Sequence, residues 1–231
     1  MAYEKVLFDL DGTLTESGPG ITHAVQYALH RMGIEEPDRS KLEVFVGPPL
    51  NVSFQERYGM SGEESGRAIH YFRDVYDKEM VFENRLYPGA RELLEQLHAD
   101  GVQMAIASSK PIHLVQKVLE HFDIRKDFDV VVGACIEEEL DNKAGTDHKL
   151  AMVKKALDEL RELNGNETVE GFCKRCAMVG DRSFDIKGAK ANGVAAVGVS
   201  YGYGTRQELS EAGADAIAAD TKELYEILRR A

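Results

Sequence analysis

The chain has no tryptophan, three cysteines, six prolines and no run of about 18 consecutive apolar residues among its 231 positions. Three cysteines cannot all pair within one chain, which argues against a disulfide-stapled secreted scaffold and makes a reducing cytoplasm the expected setting. Without a long apolar run no membrane-spanning helix is expected, and the mixed charges of Glu4 and Lys5 before a short apolar stretch do not read as a secretion signal. Positive charge is also scarce: 28 Lys and Arg face 40 Asp and Glu, a formal net charge of −12. No basic tract of five or more residues offsets that excess, so neither nucleic acid nor an anionic membrane is an expected partner. Self-similarity at periods of roughly 20–50 residues is missing as well, which argues against solenoids and propellers.

What remains describes an ordinary globular chain, with 43% hydrophobic residues, 29% charged residues and 21 glycines. At roughly 150 residues per domain the length suits one large domain or a core carrying a smaller insert, and the periodicity favours the second. Residues 5–10 form an apolar run ending in acid and glycine, the pattern of a strand buried on both faces of a parallel sheet. From residue 17 to 85 apolar residues recur three and four apart, as at Ile21, Val25, Ala28, Leu29 and Met32, so this stretch is expected to be helical. Breaks are expected at Gly47-Pro48-Pro49 and between Gly59 and Gly62. After Tyr87-Pro88-Gly89 a βα rhythm takes over. Helices are expected over 90–98, 112–121, 147–163 and 183–191, strands over 102–107, 129–133, 177–180, 194–199 and 216–218, with a terminal helix last. Such alternation calls for right-handed crossovers and a Rossmann-like α/β fold, a parallel sheet with helices on both faces. The expected organisation is an α/β core of residues 1–16 and 86–231, with residues 17–85 as an α-helical module inserted after the first strand.

In open parallel sheets ligands sit beyond the carboxyl ends of the strands, and the residues expected there carry chemistry. The first strand ends in Asp9-Leu10-Asp11-Gly12-Thr13, the second in Ser108-Ser109-Lys110, and the strand at 177–180 in Gly180-Asp181-Arg182-Ser183-Phe184-Asp185. Asp9 and Asp11 are two residues apart and can face one ligand, while Gly12 permits a sharp exit. Carboxylates this close repel unless a cation or proton intervenes, and clustered carboxylates in an acidic chain can relieve their repulsion on a divalent cation. Gly202-Tyr203-Gly204-Thr205, after the fifth strand, would border the same crevice.

These residues resemble the haloacid dehalogenase (HAD) superfamily of phosphohydrolases, whose first motif is an Asp-x-Asp-Gly-Thr at the end of the first strand. Ser108 falls at the hydroxyl motif on the second strand, and Gly180 to Asp185 fits the acidic motif on the fourth. The helical insert is similar to the mobile cap of the phosphoglycolate phosphatase and β-phosphoglucomutase branch. Within that branch, Phe45-Val46-Gly47-Pro48-Pro49-Leu50 resembles a segment found in phosphoglycolate phosphatase-like caps. Order and spacing agree over nearly the full chain.

The resemblance implies a Mg²⁺-dependent phosphomonoester hydrolase acting on a small phosphorylated metabolite. Asp9 would attack phosphorus and form an aspartyl-phosphate. Asp11 would protonate the leaving alkoxide and then activate the water that hydrolyses the intermediate. Asp9, the backbone carbonyl of Asp11, and Asp181 would hold Mg²⁺. Ser108 and Ser109, with nearby backbone N–H groups, would hold phosphoryl oxygens, and a lysine would offset the charge spread over them. Lys149, near the expected start of the helix after the third strand, is the choice for that lysine; Lys143 is the runner-up and Lys110 also lies in a fitting region. Asp185 would act from behind, positioning the lysine or a metal-bound water. In the cap, Gly47, Pro48, Pro49, Asn51 and Arg73 are the expected substrate contacts, Arg73 because a guanidinium suits a carboxylate or second phosphate.

Plainer readings stand beside these. Ser108 and Ser109 alone would cap the helix that Pro111 opens. Cys173 and Cys176 have half the spacing of a zinc site but no second pair, and Glu137-Glu138-Glu139 reads as a solvated loop. The motifs also suit a sugar-phosphate mutase or phosphotransferase, in which a substrate hydroxyl accepts the phosphoryl group, and 5'-nucleotidase specificity stands beside phosphoglycolate. A signalling receiver would carry its acceptor on the third strand, so the first-strand motif argues against it. A departing halide needs no proton, so Asp11 favours phosphate esters, and the intact Asp9, Asp11, Ser108 and Asp181 oppose a catalytically silent relative.

Overall fold

The computed structural model describes residues 2–135, 145–165 and 168–230, with the backbone alone at 145–147. Among them one sheet contains β1 (Lys5–Phe8), β2 (Gln103–Pro111), β3 (Val130–Ala134), β4 (Cys176–Gly180), β5 (Ala195–Val199) and β6 (Ala216–Ala218). The strands lie in the order β3-β2-β1-β4-β5-β6 and every neighbouring pair is parallel. The chain builds outward from β1 to β3 on one side, then returns to add β4 to β6 on the other. A crevice opens where the order reverses, and β1 and β4, which flank the reversal, lead into Asp9 and Asp181.

Helices cover both faces, so the strands are apolar on both sides and β1 is buried throughout. On one face Val6 and Phe8 share a core with α4 (Ala90–Ala99), α5 (Ile112–His121) and α10 (Thr221–Arg230) through Leu94, Leu119 and Leu228. On the other, Leu7 shares a core with α6 (Gly145–Leu163) and α8 (Ser183–Ala191) through Val153, Leu160 and Ile186. Short helices α7 (Val169–Cys173) and α9 (Arg206–Glu211) complete that layer with Phe172 and Leu209.

Between β1 and α4 the regular elements are helical, as the apolar spacing implies: α1 (Gly18–Arg31), a 3₁₀ turn at Arg39–Phe45, α2 (Leu50–Tyr58), α3 (Gly62–Tyr76) and a second 3₁₀ turn at Met80–Phe82. Helix α2 stops at Gly59 in the left-handed region, with φ 64°. Helix α3 starts with a reciprocal capping box between Ser61 and Glu64. Phe45 and Phe54 pack edge to face at 4.9 Å inside this segment, and their core runs on into the one beneath the sheet face of Phe8. The chain's two passages between sheet and helical segment lie side by side: the Glu16 amide donates to Arg85 O at 2.7 Å, their side chains form an ion pair, and Thr15 bridges Leu86.

Several local expectations need correction. The first strand ends at Phe8 rather than residue 10, because Leu10 O accepts from the amides of Thr13, Leu14 and Thr15 and pulls the chain into a turn. Ser108 and Ser109 do not cap α5; they lie inside β2, and Pro111 precedes the helix without a side-chain cap. Helices α7 and α9, five and six residues long, are too short to show a helical period in sequence. Lys143 and Glu137-Glu138-Glu139 lie outside the described residues. Among the described residues no helix is long and apolar enough to cross a membrane.

Candidate active site

Beyond β1 the Asp9 amide still joins the sheet, donating to Val179 O at 2.9 Å. The side chain turns back on its own loop, where Asp9 Oδ1 accepts from the Leu10 amide at 2.8 Å. Asp9 and Asp11 are both buried. Gly12 follows with φ 86°, and a Cβ there would stand 2.3 Å from Asp181 Oδ2, so both the conformation and the close carboxylate demand glycine.

Three further elements deliver charge to Asp9. Lys149, on α6, puts Nζ 2.8 Å from Asp9 Oδ1, 2.9 Å from Asp185 Oδ1 and 3.1 Å from Ala107 O. The ammonium thus pairs with two carboxylates and donates to a main-chain carbonyl. Asp185, in the first turn of α8, accepts from the Arg182 amide at 3.0 Å through its other oxygen. Asp181, just past β4, accepts from the Tyr203 amide at 2.8 Å. Asp9, Asp181 and Asp185 are buried and each offers an oxygen within 4.8 Å of the others.

One lysine does not neutralise three carboxylates, and the titration of the group reflects that. Burial pushes the Asp9 carboxyl up to about 6, with Asp185 and Asp11 adding to the rise and Lys149 opposing it. Burial, then Asp185 and Asp9, holds Asp181 well above the usual carboxylate range. Burial disfavours the Lys149 ammonium, but Asp185 and Asp9 more than compensate and raise its pKa. A buried, all-oxygen donor set with surplus negative charge suits a hard dication such as Mg²⁺.

On β2 the register slips between Ala107 and Pro111, and Ser108 and Lys110 both lie buried there. Ser108 Oγ accepts from the Lys110 amide at 3.3 Å. Lys110 Nζ contacts Asp11 rather than Asp9, at 2.9 and 3.3 Å from the two carboxylate oxygens. It also donates to the phenol oxygen of Tyr76, the last residue of α3, at 2.6 Å. Each carboxylate of the Asp9-x-Asp11 pair therefore has its own lysine.

A mostly apolar cleft separates the strand ends from the helical segment. Asp9, Asp11, Ser108, Ser109 and Lys110 line its floor, and Phe45, Gly47, Pro48, Pro49, Phe72 and Arg73 its roof. Asn51 is buried on α2 and is not part of that lining; Lys149, Asp181 and Asp185 are likewise off the cleft wall, grouped around Asp9. Packed against Gly47, Arg182 donates from Nη1 to Val46 O at 2.9 Å and from Nε to Glu208 at 3.1 Å. Tyr76 and His148 also line the cleft and were not singled out by sequence. Tyr76 had a signal, three residues after Arg73 on one helix face; the Tyr203 contact is made by a main-chain amide, which leaves no residue-type signature. Cys173 and Cys176 are buried at the end of α7 and the start of β4, where Cys176 Sγ donates to Phe172 O at 3.2 Å.

The sequence pattern of the haloacid dehalogenase-like hydrolases matches residues 6–199, from β1 through β5, and the chain belongs to that family. It is similar to the 5'-nucleotidase of Pseudomonas aeruginosa, 37% identical over 229 residues, which cover 99% of this chain and 96% of that protein. It is also similar to the tyrosine-protein kinase PtkA of Mycobacterium tuberculosis, 35% identical over 227 residues covering 97% of this chain and 72% of the other. A third relative, the phosphoglycolate phosphatase of Vibrio parahaemolyticus, is 31% identical over 232 residues covering 96% and 95%. Among solved structures, a predicted phosphatase from Clostridium acetobutylicum aligns with a TM-score of 0.87 at 38% identity, covering 99% of both chains.

Proposed function

We propose that this hydrolase is a Mg²⁺-dependent phosphomonoesterase that acts on a small phosphorylated metabolite through an aspartyl-phosphate on Asp9. The observation that carries the reading is the pair of buried carboxylates at the sheet's reversal point, one held by Lys149 beside a carboxylate cluster and the other by Lys110 facing the cleft. Lys149 and the Leu10 amide fix Asp9 Oδ1, which orients the carboxylate for attack on phosphorus while the ester oxygen departs as the alcohol. Asp11 gives that oxygen its proton and then takes one from the water that hydrolyses the acyl phosphate. Ser108, Ser109 and adjacent amides hold the phosphoryl oxygens. Asp9, the Asp11 carbonyl and Asp181 would hold Mg²⁺, with Asp185 steering Lys149 from behind. When bound there, the cation would supply positive charge that offsets the repulsion between the carboxylate and the phosphate dianion.

Residues 17–85 act as a cap on the core of residues 1–16 and 86–231, a reading favoured by the paired chain passages at Glu16 and Arg85. Gly47, Pro48 and Arg73 meet the leaving group, with Asn51 supporting that wall from within α2. The curated relatives point to phosphoglycolate or a nucleoside 5'-monophosphate as the first substrates to try, in a cytoplasmic setting. A phosphotransferase reading gains from the kinase relative: an acceptor hydroxyl would then replace water at the aspartyl-phosphate.

The test is phosphate release from a panel of small phosphomonoesters, with Mg²⁺ and with EDTA, for wild type and Asp9→Asn. Metal-dependent release that disappears in the variant is expected. Wild-type activity in Asp9→Asn would sink the mechanism, and label transferred to an added hydroxyl compound in preference to water would favour the transferase.

A further inference from the structure

Burying an ammonium is unfavourable unless its hydrogens meet acceptors. The Lys110 side chain is 5% exposed, and its charge is met by Asp11 and by Tyr76. These partners come from three separate parts of the molecule: Lys110 from β2, Asp11 from the turn after β1, and Tyr76 from the end of α3. Both carboxylate oxygens of Asp11 lie within 3.3 Å of the same nitrogen, so the contact constrains how the carboxylate turns as well as where it sits. Only Tyr76 belongs to the helical segment, which joins the sheet through the adjacent passages at Thr15–Glu16 and Arg85–Leu86. If that segment moves as a unit about those passages, the phenol leaves the lysine while Asp11 and Lys110 stay together on the core.

We infer that Lys110 is a positioning residue for the acid–base step: it aims the Asp11 carboxylate at the leaving oxygen, and Tyr76 completes that hold only while α3 covers the cleft. A general acid has to stand within hydrogen-bond reach of the atom it protonates, and a displacement of about 1 Å in such a group costs on the order of 100-fold in rate. Lys110 needs no contact with the substrate to exert this effect; it works through Asp11. Tyr76 ties the same geometry to the roof, so an ester whose leaving group draws α3 down also sets its own proton donor. The inference rests on the acid role of Asp11 proposed above.

The experiment compares kcat/KM for an alkyl phosphate and for p-nitrophenyl phosphate, because this ratio reports the steps through departure of the leaving group. An alkoxide needs a proton to leave; p-nitrophenolate does not. Lys110→Met is expected to lower kcat/KM about 100-fold on the alkyl ester and less than about tenfold on p-nitrophenyl phosphate. Tyr76→Phe keeps the ring and its packing, and is expected to show the same selectivity with a loss of roughly tenfold on the alkyl ester, while Lys110→Arg restores part of what Met removes. Asp11→Asn supplies the reference pattern. Equal losses on both esters in Lys110→Met and Tyr76→Phe, beside a selective loss in Asp11→Asn, overturn the inference and leave the proposed function standing. An unselective Asp11→Asn removes the acid role and the inference together. If Lys110→Met does not fold, Tyr76→Phe alone decides: a selective loss supports the coupling and wild-type kinetics on both esters refute it.

Discussion

The floor and the roof of the cleft are built on different principles. On the floor every charged side chain at the strand ends meets a partner of defined geometry: Asp9 with Lys149, Asp185 with Lys149 and the Arg182 amide, Asp181 with the Tyr203 amide, Asp11 with Lys110. The roof is chiefly apolar, with Phe45, Phe72 and two prolines around one half-buried guanidinium, and polar links to the core at Tyr76, Val46 and Asp77. A hydrogen-bonded sheet holds the floor's groups to fractions of an ångström, which is what chemistry at phosphorus requires. Helices packed by side-chain shape supply enclosure and fit, and tolerate movement against the floor. In the proposed function, the floor accordingly carries the reaction and the roof the choice of ester.

The sharpest way to break that division is Asp9→Asn. If Asp9 is the nucleophile proposed above, its removal eliminates the covalent route, and kcat should fall on the order of 10⁵-fold or more for every ester in the panel. Thermal stability should hold or rise, because an amide in place of a buried carboxylate relieves the repulsion with Asp181 and Asp185. A loss confined to some esters would mean that substrate choice reaches into the floor.

Lys149→Met comes next. It strips the ammonium from two buried carboxylates at once, and breaking a buried pair from one side costs about 3–5 kcal/mol. Activity should fall about 10²–10³-fold with the orientation of Asp9 and the charge beside the phosphoryl group lost. Urea unfolding without metal and steady-state kinetics with metal read the two effects separately. Mg²⁺ should recover part of the lost stability, since it supplies positive charge to the same carboxylates.

The same contrast governs what the sequence reveals. Asp9-Leu10-Asp11-Gly12 is legible because the strand, the acid pair and the turn glycine fall in one short stretch, and the parallel-sheet rule says where strand ends go. The βα rhythm fixed most elements of the core to within a residue or two; α7 and α9 escaped because so short a helix shows no period. Lys149 was legible from its helix start, whereas the partner of Lys110 was not, lying 99 residues away along the chain. The roof was harder: Asn51 and Arg73 are both polar residues on helices, and only packing decides that Arg73 lines the cleft while Asn51 turns into α2's buried face.

A smaller effect sharpens the electrostatic half of the comparison. Asp9 has a folded pKa near 6 against an ordinary value of 3.8, and Asp181 is raised as well. Between the two Asp9 values the folded protein holds a proton that the unfolded chain has released, so the contribution of Asp9 to stability falls as pH rises from about 4 to about 6, and the raised Asp181 acts in the same direction. Mg²⁺ held as proposed at these carboxylates would compete with the same protons and bind better as they leave. The rise in Tm produced by Mg²⁺ should therefore be larger at pH 7 than at pH 5, by at least the 2–4 °C or so that 1 kcal/mol produces in a chain of this size. Asp9→Asn should flatten that dependence, and an increment independent of pH in the wild type would remove the carboxylate cluster as the cation site.

The smallest expected effect tests the seam itself. Arg182 stands beside Asp181, yet its guanidinium reaches over to the Val46 carbonyl on the roof and back to Glu208 on α9 of the core. Its amide, which holds Asp185, is untouched by a change of side chain. Arg182→Ala therefore removes a tie between the two halves and leaves the floor's pairs intact. One side-chain hydrogen bond contributes about 0.5–1.5 kcal/mol net, so KM should rise roughly two- to tenfold while kcat and the Mg²⁺ requirement stay close to wild type. A fall in kcat instead, with KM unchanged, would mean that the guanidinium helps to set the carboxylates, and that the seam belongs to the chemistry rather than to enclosure.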